Sequence, residues 1–232
     1  MISALLPTRG RPDSLRRSIE SLVARADYPH RLEIAVALDP DDPYADAARE
    51  VVMATKASFQ IWTAPERYGY SQLHRYFNAL AKAAAGDWLL LWNDDAVMTS
   101  DGWDTAIENL PSHVIVADCW CPPHSPWLIT FPAVRRWVVE ALGEFSAHTC
   151  HCDTYYEIIG RALPGGTEQV MGATVFHDRN DLTGGHNDTT WREGQAGYQR
   201  QHFYSAEVQA LIQRDIETLR VLHDERIGGV PG

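Results

Sequence analysis

Apolar positions recur along this chain with two different periods. Residues 2–6 form a short apolar run. Residues 12–26 follow with Leu15, Ile19, Leu22 and Val23 on one helical face and Pro12 near the first turn, which predicts a strand and then a helix. The alternation repeats with an apolar run at 32–38, a helix from about 43 to 54, and a third strand at 59–63. A further helix runs to residue 85; Ser71 can cap it, Leu73, Tyr76, Phe77 and Leu80 face inward, and Gly86 ends it. A fourth apolar run covers 88–92. Strands and helices alternating at this spacing predict an α/β fold with a mainly parallel central sheet flanked by helices.

The second half is less regular. Its pattern predicts a short helix at 103–110, strands at 113–117 and 127–131, and a helix that Pro132 opens and Gly143 stops. A helix with Asp153 at its start and a late strand at 170–176 follow. Residues 178–202 are rich in Gly, Asn, Asp and Thr without periodicity and predict a long flexible loop of the kind that serves as a lid. Trp191 and Tyr198 in this loop either stack on a ligand when it closes or pack against the last helix. That C-terminal helix carries the stripe Val208, Leu211, Ile212, Ile216, Leu219 and Leu222, which faces the core or a second copy in a homodimer. Its polar face mixes Glu207, Arg214, Asp215, Glu217 and Arg220, unlike a basic membrane-binding helix.

The 232 residues suit one large domain. A net charge of −11 gives no bulk basic footprint and demotes nucleic acid as a partner. There is no run of about 18 apolar residues that would span a membrane, and residues 1–7 read as a strand rather than a signal peptide. A cytoplasmic location is the expectation. The cysteines form two pairs, Cys119/Cys121 and Cys150/Cys152; one intervening residue fits zinc poorly, so free thiols lead over a zinc site or a disulfide.

In open parallel sheets ligands bind beyond the carboxyl ends of the strands. Four such ends carry chemistry: Pro7-Thr8-Arg9-Gly10-Arg11-Pro12, Asp39-Pro40-Asp41-Asp42, the stretch with Arg67 and Gly69, and Asn93-Asp94-Asp95. The last is the sharpest, since Mg²⁺ or Mn²⁺ takes one or two carboxylates together with substrate phosphates. An Asp-rich turn without a metal is the plain alternative. Asp41 and Asp42 are read as caps of the helix after Pro43.

Taken in order, these segments resemble a family 2-type glycosyltransferase of the GT-A fold over residues 1–180. Pro7 to Pro12 resembles the opening nucleotide-binding loop, Asp39 the acidic residue that contacts the nucleoside, and Tyr70 to Leu80 the helix before the metal motif. Asn93-Asp94-Asp95 resembles the Asp-x-Asp motif, Phe131 to Phe145 the acceptor-side segment, Cys152-Asp153 with Glu157 and Arg161 the Glu-Asp motif, and His177 the histidine that completes the metal site. Two departures stand out: Asn93 replaces the first acid of the metal motif, and Cys152 replaces the Glu of the Glu-Asp pair.

The resemblance implies a metal-dependent enzyme that moves a sugar from a nucleotide-diphosphate sugar, UDP favoured, to an acceptor hydroxyl with inversion. Asp153 is the candidate base, with a helix cap as its bland alternative. Pro7, Thr8, Arg9, Asp39, Arg67, Asn93 and Asp94 form the donor set; Asp95 and His177 hold Mn²⁺ or Mg²⁺, with His186 competing for the histidine role. The expected division is a nucleotide-sugar half at 1–98, an acceptor and catalytic half at 99–180, a mobile loop at 181–203 and a terminal helix at 204–224. The acceptor is left open among a glycan, a protein, a small molecule and a modified nucleobase. Beside a zinc-stabilised interaction protein built on the two cysteine pairs, two other classes stay in view. A nucleotidyltransferase-like enzyme should carry a Gly-rich loop after strand one, where this chain has a single Gly10; a degenerate nucleotide- or sugar-binding module would follow from the two departures.

Overall fold

A computed structural model of the chain describes residues 1–122, 128–146, 150–178 and 202–228. The chain opens with β1 (Ile2–Thr8), α1 (Pro12–Ala24), β2 (Leu32–Leu38), α2 (Ala45–Met53), β3 (Ser58–Thr63), α3 (Leu73–Ala83) and β4 (Trp88–Leu91). It continues with β5 (Ala96–Met98), α4 (Trp103–Glu108), β6 (Val116–Trp120), β7 (Phe131–Arg135), α5 (Arg136–Leu142), α6 (Cys152–Arg161), β8 (Thr167–His177) and α7 (Ala206–Gly228). The strands form one mixed sheet in the order β3-β2-β1-β4-β7-β6-β8-β5.

The first four strands are mutually parallel, as the βαβ pattern requires. Their side chains alternate between two cores. Ile34, Val36 and Leu38 of β2 face the layer that holds α1 and α2, while Ala35 and Ala37 face the layer with α3, α5, α6 and α7. The parallel expectation holds less well beyond β4. β7 runs antiparallel to both β4 and β6, β6 and β8 are parallel, and β5 pairs antiparallel with the end of β8.

Several boundaries differ from the pattern-based reading. Pro132 does not open a helix; it lies in β7, and the helix begins at Arg136. The ladder with β4 stops at Ala133, so the missing Pro132 N–H removes no bond on that side. The strand expected at 113–117 is Val116–Trp120, and β5 was not foreseen. Ser71 makes no cap: a 3-10 turn over Tyr70–Gln72 leads into α3, and Gln72 takes the cap position. The stripe of α7 is core, with Val208, Ile212, Ile216 and Leu219 buried. The loop set at 181–203, with His186, Trp191 and Tyr198, lies outside the described residues except for its last two positions.

Cys119 and Cys121 sit in one core layer and Cys152 in the other; all four thiols are buried and unbridged. Burial pushes the Cys150 thiol up to about 12. Among the described residues no three His, Cys, Asp or Glu side chains are placed together to hold a metal, which leaves the four-thiolate zinc reading without a site. Nor is any described helix long and apolar enough to cross a membrane.

The turn into β4 is packed too tightly for a side chain. A Cβ on Gly86 would lie 2.6 Å from the Ser3 backbone nitrogen and 2.9 Å from the Ile2 carbonyl carbon. Backbone cannot yield there without moving β1 against β4. Gly86→Ala is therefore expected to cost about 1–3 kcal/mol, as overpacking does, and chemical denaturation will read it as a lower midpoint.

Candidate active site

The carboxyl ends of β1, β2 and β4 meet at one edge of the sheet, and their loops are tied to one another. Gly10 takes a left-handed backbone (φ 73°), which a glycine reaches without strain, and so turns the loop after β1 back across the edge. The Gly10 N–H donates to Asp42 Oδ2 at 2.9 Å, and the other Asp42 oxygen accepts from the Tyr44 N–H at 2.9 Å ahead of α2. The cap position of α2 is nonetheless Tyr44, with no side-chain cap bond, so neither Asp41 nor Asp42 is the expected cap. Asp41 is instead bound by Arg9, which donates to its two oxygens at 2.6 and 3.3 Å and to Asp39 Oδ2 at 3.1 Å. These hydrogen bonds hold Asp41 below the usual carboxylate range. Asp39 is buried, and its second oxygen accepts from the Tyr76 hydroxyl, which in turn accepts from the Tyr68 N–H at 2.9 Å.

The Asn-Asp-Asp turn is locked onto the first loop and α1. Ser18 Oγ donates to the Asn93 carbonyl at 3.0 Å and Ser14 Oγ to the Asp94 carbonyl at 2.8 Å. Asp94 is buried with both oxygens engaged, by Thr8 Oγ1 at 2.6 Å and by Arg11 Nη2 at 2.6 Å. Asp95 points differently. One oxygen lies 3.6 Å from Arg11 Nη1 and the other 3.2 Å from His177 Nε2. Burial alone would raise the Asp95 pKa; the hydrogen bond and charge of His177, with the charge of Arg11, outweigh it and bring it below the ordinary value.

His177 reaches Asp95 because β5 pairs with the end of β8 and sets Ala96 opposite His177. The Asp178 N–H also donates to the Asp95 carbonyl at 2.9 Å, and Arg17 pairs with the Asp178 carboxylate at 2.6 Å. Two neighbouring ligand atoms on an octahedral cation with bonds near 2.1 Å stand about 3 Å apart. The 3.2 Å between Asp95 Oδ1 and His177 Nε2 is a hydrogen-bond contact, which a cation held by both groups would replace. A carboxylate with an imidazole suits Mn²⁺. The pair fits a divalent cation whose remaining ligands come from outside the protein.

A family model described as Glycosyl transferase family 2 matches residues 3–126. The chain belongs to that family. Its fold is GT-A: a mannosyltransferase from Pyrobaculum calidifontis, solved with GDP-Man and Mn²⁺, superposes with a TM-score of 0.66 at 16% identity, covering 97% of this chain and 70% of that one. TarS from S. aureus (residues 1–349, with UDP) superposes with a TM-score of 0.59 at 13% identity, covering 75% of this chain and 59% of that one. In sequence, the O-antigen biosynthesis protein RfbC of Myxococcus xanthus is 29% identical over 102 residues. That segment is 44% of this chain and 8% of the relative.

In this family 2 chain the candidate base is carried by α6 rather than by a strand end. Asp153 lies in the first turn of α6, one residue inside its start, and makes no helix cap; the cap position is His151. Its Oδ1 accepts from the Thr154 N–H at 2.7 Å. Burial raises the Asp153 pKa, and the Thr154 N–H and His151 oppose that rise only in part. Cys152, beside it, is fully packed in the core and cannot stand in for a carboxylate that faces a ligand. Arg67 is exposed after β3, and its charge bears on Asp41. Pro7 lies opposite Ala37, one position before the β1 ladder ends at Thr8 opposite Leu38. The residues that pattern reading left out of the site are Arg11, Asp41 and Tyr76. Arg11 had a signal, being the second arginine of the loop after β1.

Proposed function

We propose that this chain transfers a sugar from a nucleotide-diphosphate sugar, with UDP the favoured nucleotide, to an acceptor hydroxyl with inversion, using Mn²⁺ or Mg²⁺. The observation that carries this reading is the Asp95–His177 pair, 3.2 Å apart, at the sheet edge that also holds Arg9 and Asp39. GDP-Man with Mn²⁺ in one structural neighbour and UDP in another support a nucleotide donor.

Asp39, held from both sides by Arg9 and Tyr76, is set to accept from the nucleobase or ribose. Arg9 and Arg67 contribute guanidinium groups for the nucleotide or its phosphates. Asn93 offers its side-chain amide to the ribose, and Asp94 acts by fixing Thr8 and Arg11. Asp95 and His177 would hold the divalent cation, which when bound would supply charge neutralisation for the departing diphosphate. Asp153 takes the proton from the acceptor hydroxyl as its oxygen bonds to the anomeric carbon. The bond from that carbon to the diphosphate breaks on the opposite face, so the configuration inverts. The full carboxylate pair of the Glu-Asp motif is absent, since Cys152 is core; this favours one second reading, a module that binds donor without transfer.

The test is thermal unfolding with UDP, GDP, dTDP and CDP, each with and without Mn²⁺. One nucleotide is expected to raise the midpoint, and only with the metal. No shift with any of the four would overturn the donor site; a shift without turnover of a matching nucleotide sugar would favour the binding module.

A further inference from the structure

The stripe that α7 lays on the core is not wholly apolar. Its buried positions run Val208, Ile212, Asp215, Ile216, Leu219 and His223, and the two polar ones each have a defined partner. The Tyr155 hydroxyl of α6 donates to Asp215 Oδ2 at 2.7 Å, and the exposed Arg214 donates to Asp215 Oδ1 at 2.9 and 2.6 Å. Two turns on, His223 Nε2 bonds the His113 carbonyl ahead of β6 at 2.8 Å. An apolar stripe with this spacing reads nearly the same after a slide of one helical turn, about 5.4 Å, since Val208 would take the place of Ile212 and Ile212 that of Ile216. The polar groups forbid that slide, because it would leave Asp215 and His223 buried away from their partners. Apolar side chains of similar volume stabilise a core as well as a buried ion pair does; fixing one register is the better attested use of such a pair.

Register matters here because of what leads into α7. Phe203 is buried, and its carbonyl accepts from Gln209 Nε2 at 2.9 Å, which ties it to the first turn of the helix. The Phe203 ring meets the His151 ring edge-on, with centres 5.4 Å apart and planes 74° apart. His151 holds the cap position of α6, two residues before Asp153, and its charge bears on the Asp153 carboxylate. Tyr155 lies two residues beyond Asp153. The segment carrying α7 therefore grips the start of α6 on both sides of Asp153, through Phe203 on His151 and through Asp215 on Tyr155. We infer that Asp215 is a positioning residue for transfer: by locking the register of α7 on α6 it seats Phe203 against His151 and so places the Asp153 carboxylate. The inference rests on the reading of Asp153 as the base and adds the element that sets it. Asp215 itself does not meet the substrate, being 2% exposed with both oxygens bonded. A separate anchor, the Tyr156 hydroxyl on the Phe145 carbonyl, keeps α6 on the core when the Asp215 contact is removed.

The double variant Tyr155→Phe/Asp215→Leu, made in the full chain, separates position from stability. UDP release from UDP-glucose, UDP-galactose and UDP-N-acetylglucosamine is followed with Mn²⁺ and with water as acceptor, beside NMR of the histidine rings. The double variant should melt at or above the wild-type midpoint, as apolar replacements of buried ion pairs do. It should keep the donor KM and the Mn²⁺-dependent nucleotide shift, yet lose about 10–10²-fold in kcat, the scale of a displaced catalytic group. The Cε1–H signal of His151, assigned by its loss in His151→Gln, should shift as the Phe203 ring moves. Asp215→Asn, whose amide oxygen still accepts from Tyr155, should hold both kcat and that signal near wild type. Should the double variant unfold, Tyr155→Phe alone carries the same kcat and signal expectations. A folded variant with unchanged kcat, or with a fallen kcat and an unmoved His151 signal, overturns the inference. No UDP release from any of the three donors by the wild-type protein marks failure of the transferase reading instead, recognisable because the His151 signal still reports the register without a rate to lose.

Discussion

Asp153→Asn lowers turnover by about 10²–10⁴-fold, the usual worth of a positioned general base, and leaves the nucleotide shift intact. The amide is nearly the same size and can still accept from the Thr154 N–H, so the start of α6 is preserved. What it cannot do is take a proton. The pH profile separates this from mere misplacement. Burial raises the Asp153 pKa, so the acid limb of kcat/KM should lie above the ordinary aspartate value of about 3.9 and should vanish in the variant. Stability should move the other way. A carboxylate whose folded pKa is raised contributes stability below its unfolded pKa and loses it as pH rises through the folded one. At neutral pH the half-buried charge is a cost, which Asn removes, so the variant should melt higher than wild type at pH 7 and approach it near pH 4. A variant that keeps more than about a tenth of the rate would remove Asp153 from the base role.

That prediction depends on a residue whose position was visible in the sequence for a partly wrong reason. Asp153 looked like a helix opener, yet the structure gives the cap position to His151 and sets the carboxylate in the first turn. The first half of the fold was more transparent. Three of its parallel strands, β1, β2 and β4, are buried on both faces and read as continuous apolar runs, so their ends were visible, and with them Thr8, Arg9, Asp39 and the Asn-Asp-Asp turn. The second half hid its elements for physical reasons. β5 has three residues, too few to show a period, and it exists because β8 offers it a partner. β7 carries a proline that marks a helix start in a local reading, yet Pro132 lies beyond the last β4 pair and opposite Asp118 of β6. The Asp95–His177 contact needs both of these nonlocal pairings. No local pattern could place the two side chains 3.2 Å apart; the resemblance of ordered motifs suggested the histidine, and the β5–β8 register explains its position. Asp41 misled in the same manner. Its sequence neighbourhood is that of a cap, but Arg9, 32 residues earlier, reaches it first.

Asp95→Ala should abolish the metal-dependent part of nucleotide binding while the fold persists. The side chain lies between two groups with different dependences. Arg11 keeps a full partner without it, because Asp94 still holds Arg11 at 2.6 Å and Thr8 at 2.6 Å. His177 loses its carboxylate neighbour, and a cation loses one of two protein ligands. A nucleotide at about 100 times its Kd adds about 2.7 kcal/mol to stability. At about 2–4 °C per kcal/mol for a chain of this size, that is a shift of about 5–11 °C. With Mn²⁺ the wild-type protein should show it and Asp95→Ala should not, whereas their midpoints without ligand should stay close. Removing a carboxylate also relieves repulsion of the diphosphate, so a variant acting only through charge would bind nucleotide better in the absence of metal. A full Mn²⁺-dependent shift in Asp95→Ala would move the cation elsewhere, and its natural place would then be Asp94, at the cost of displacing Arg11. Since Arg11 is the counter-ion that a cation at this turn would replace, the ligand-free midpoint of Asp95→Ala and its Mn²⁺ response together show whether the turn at β4 is a metal site or an ion-paired loop anchor.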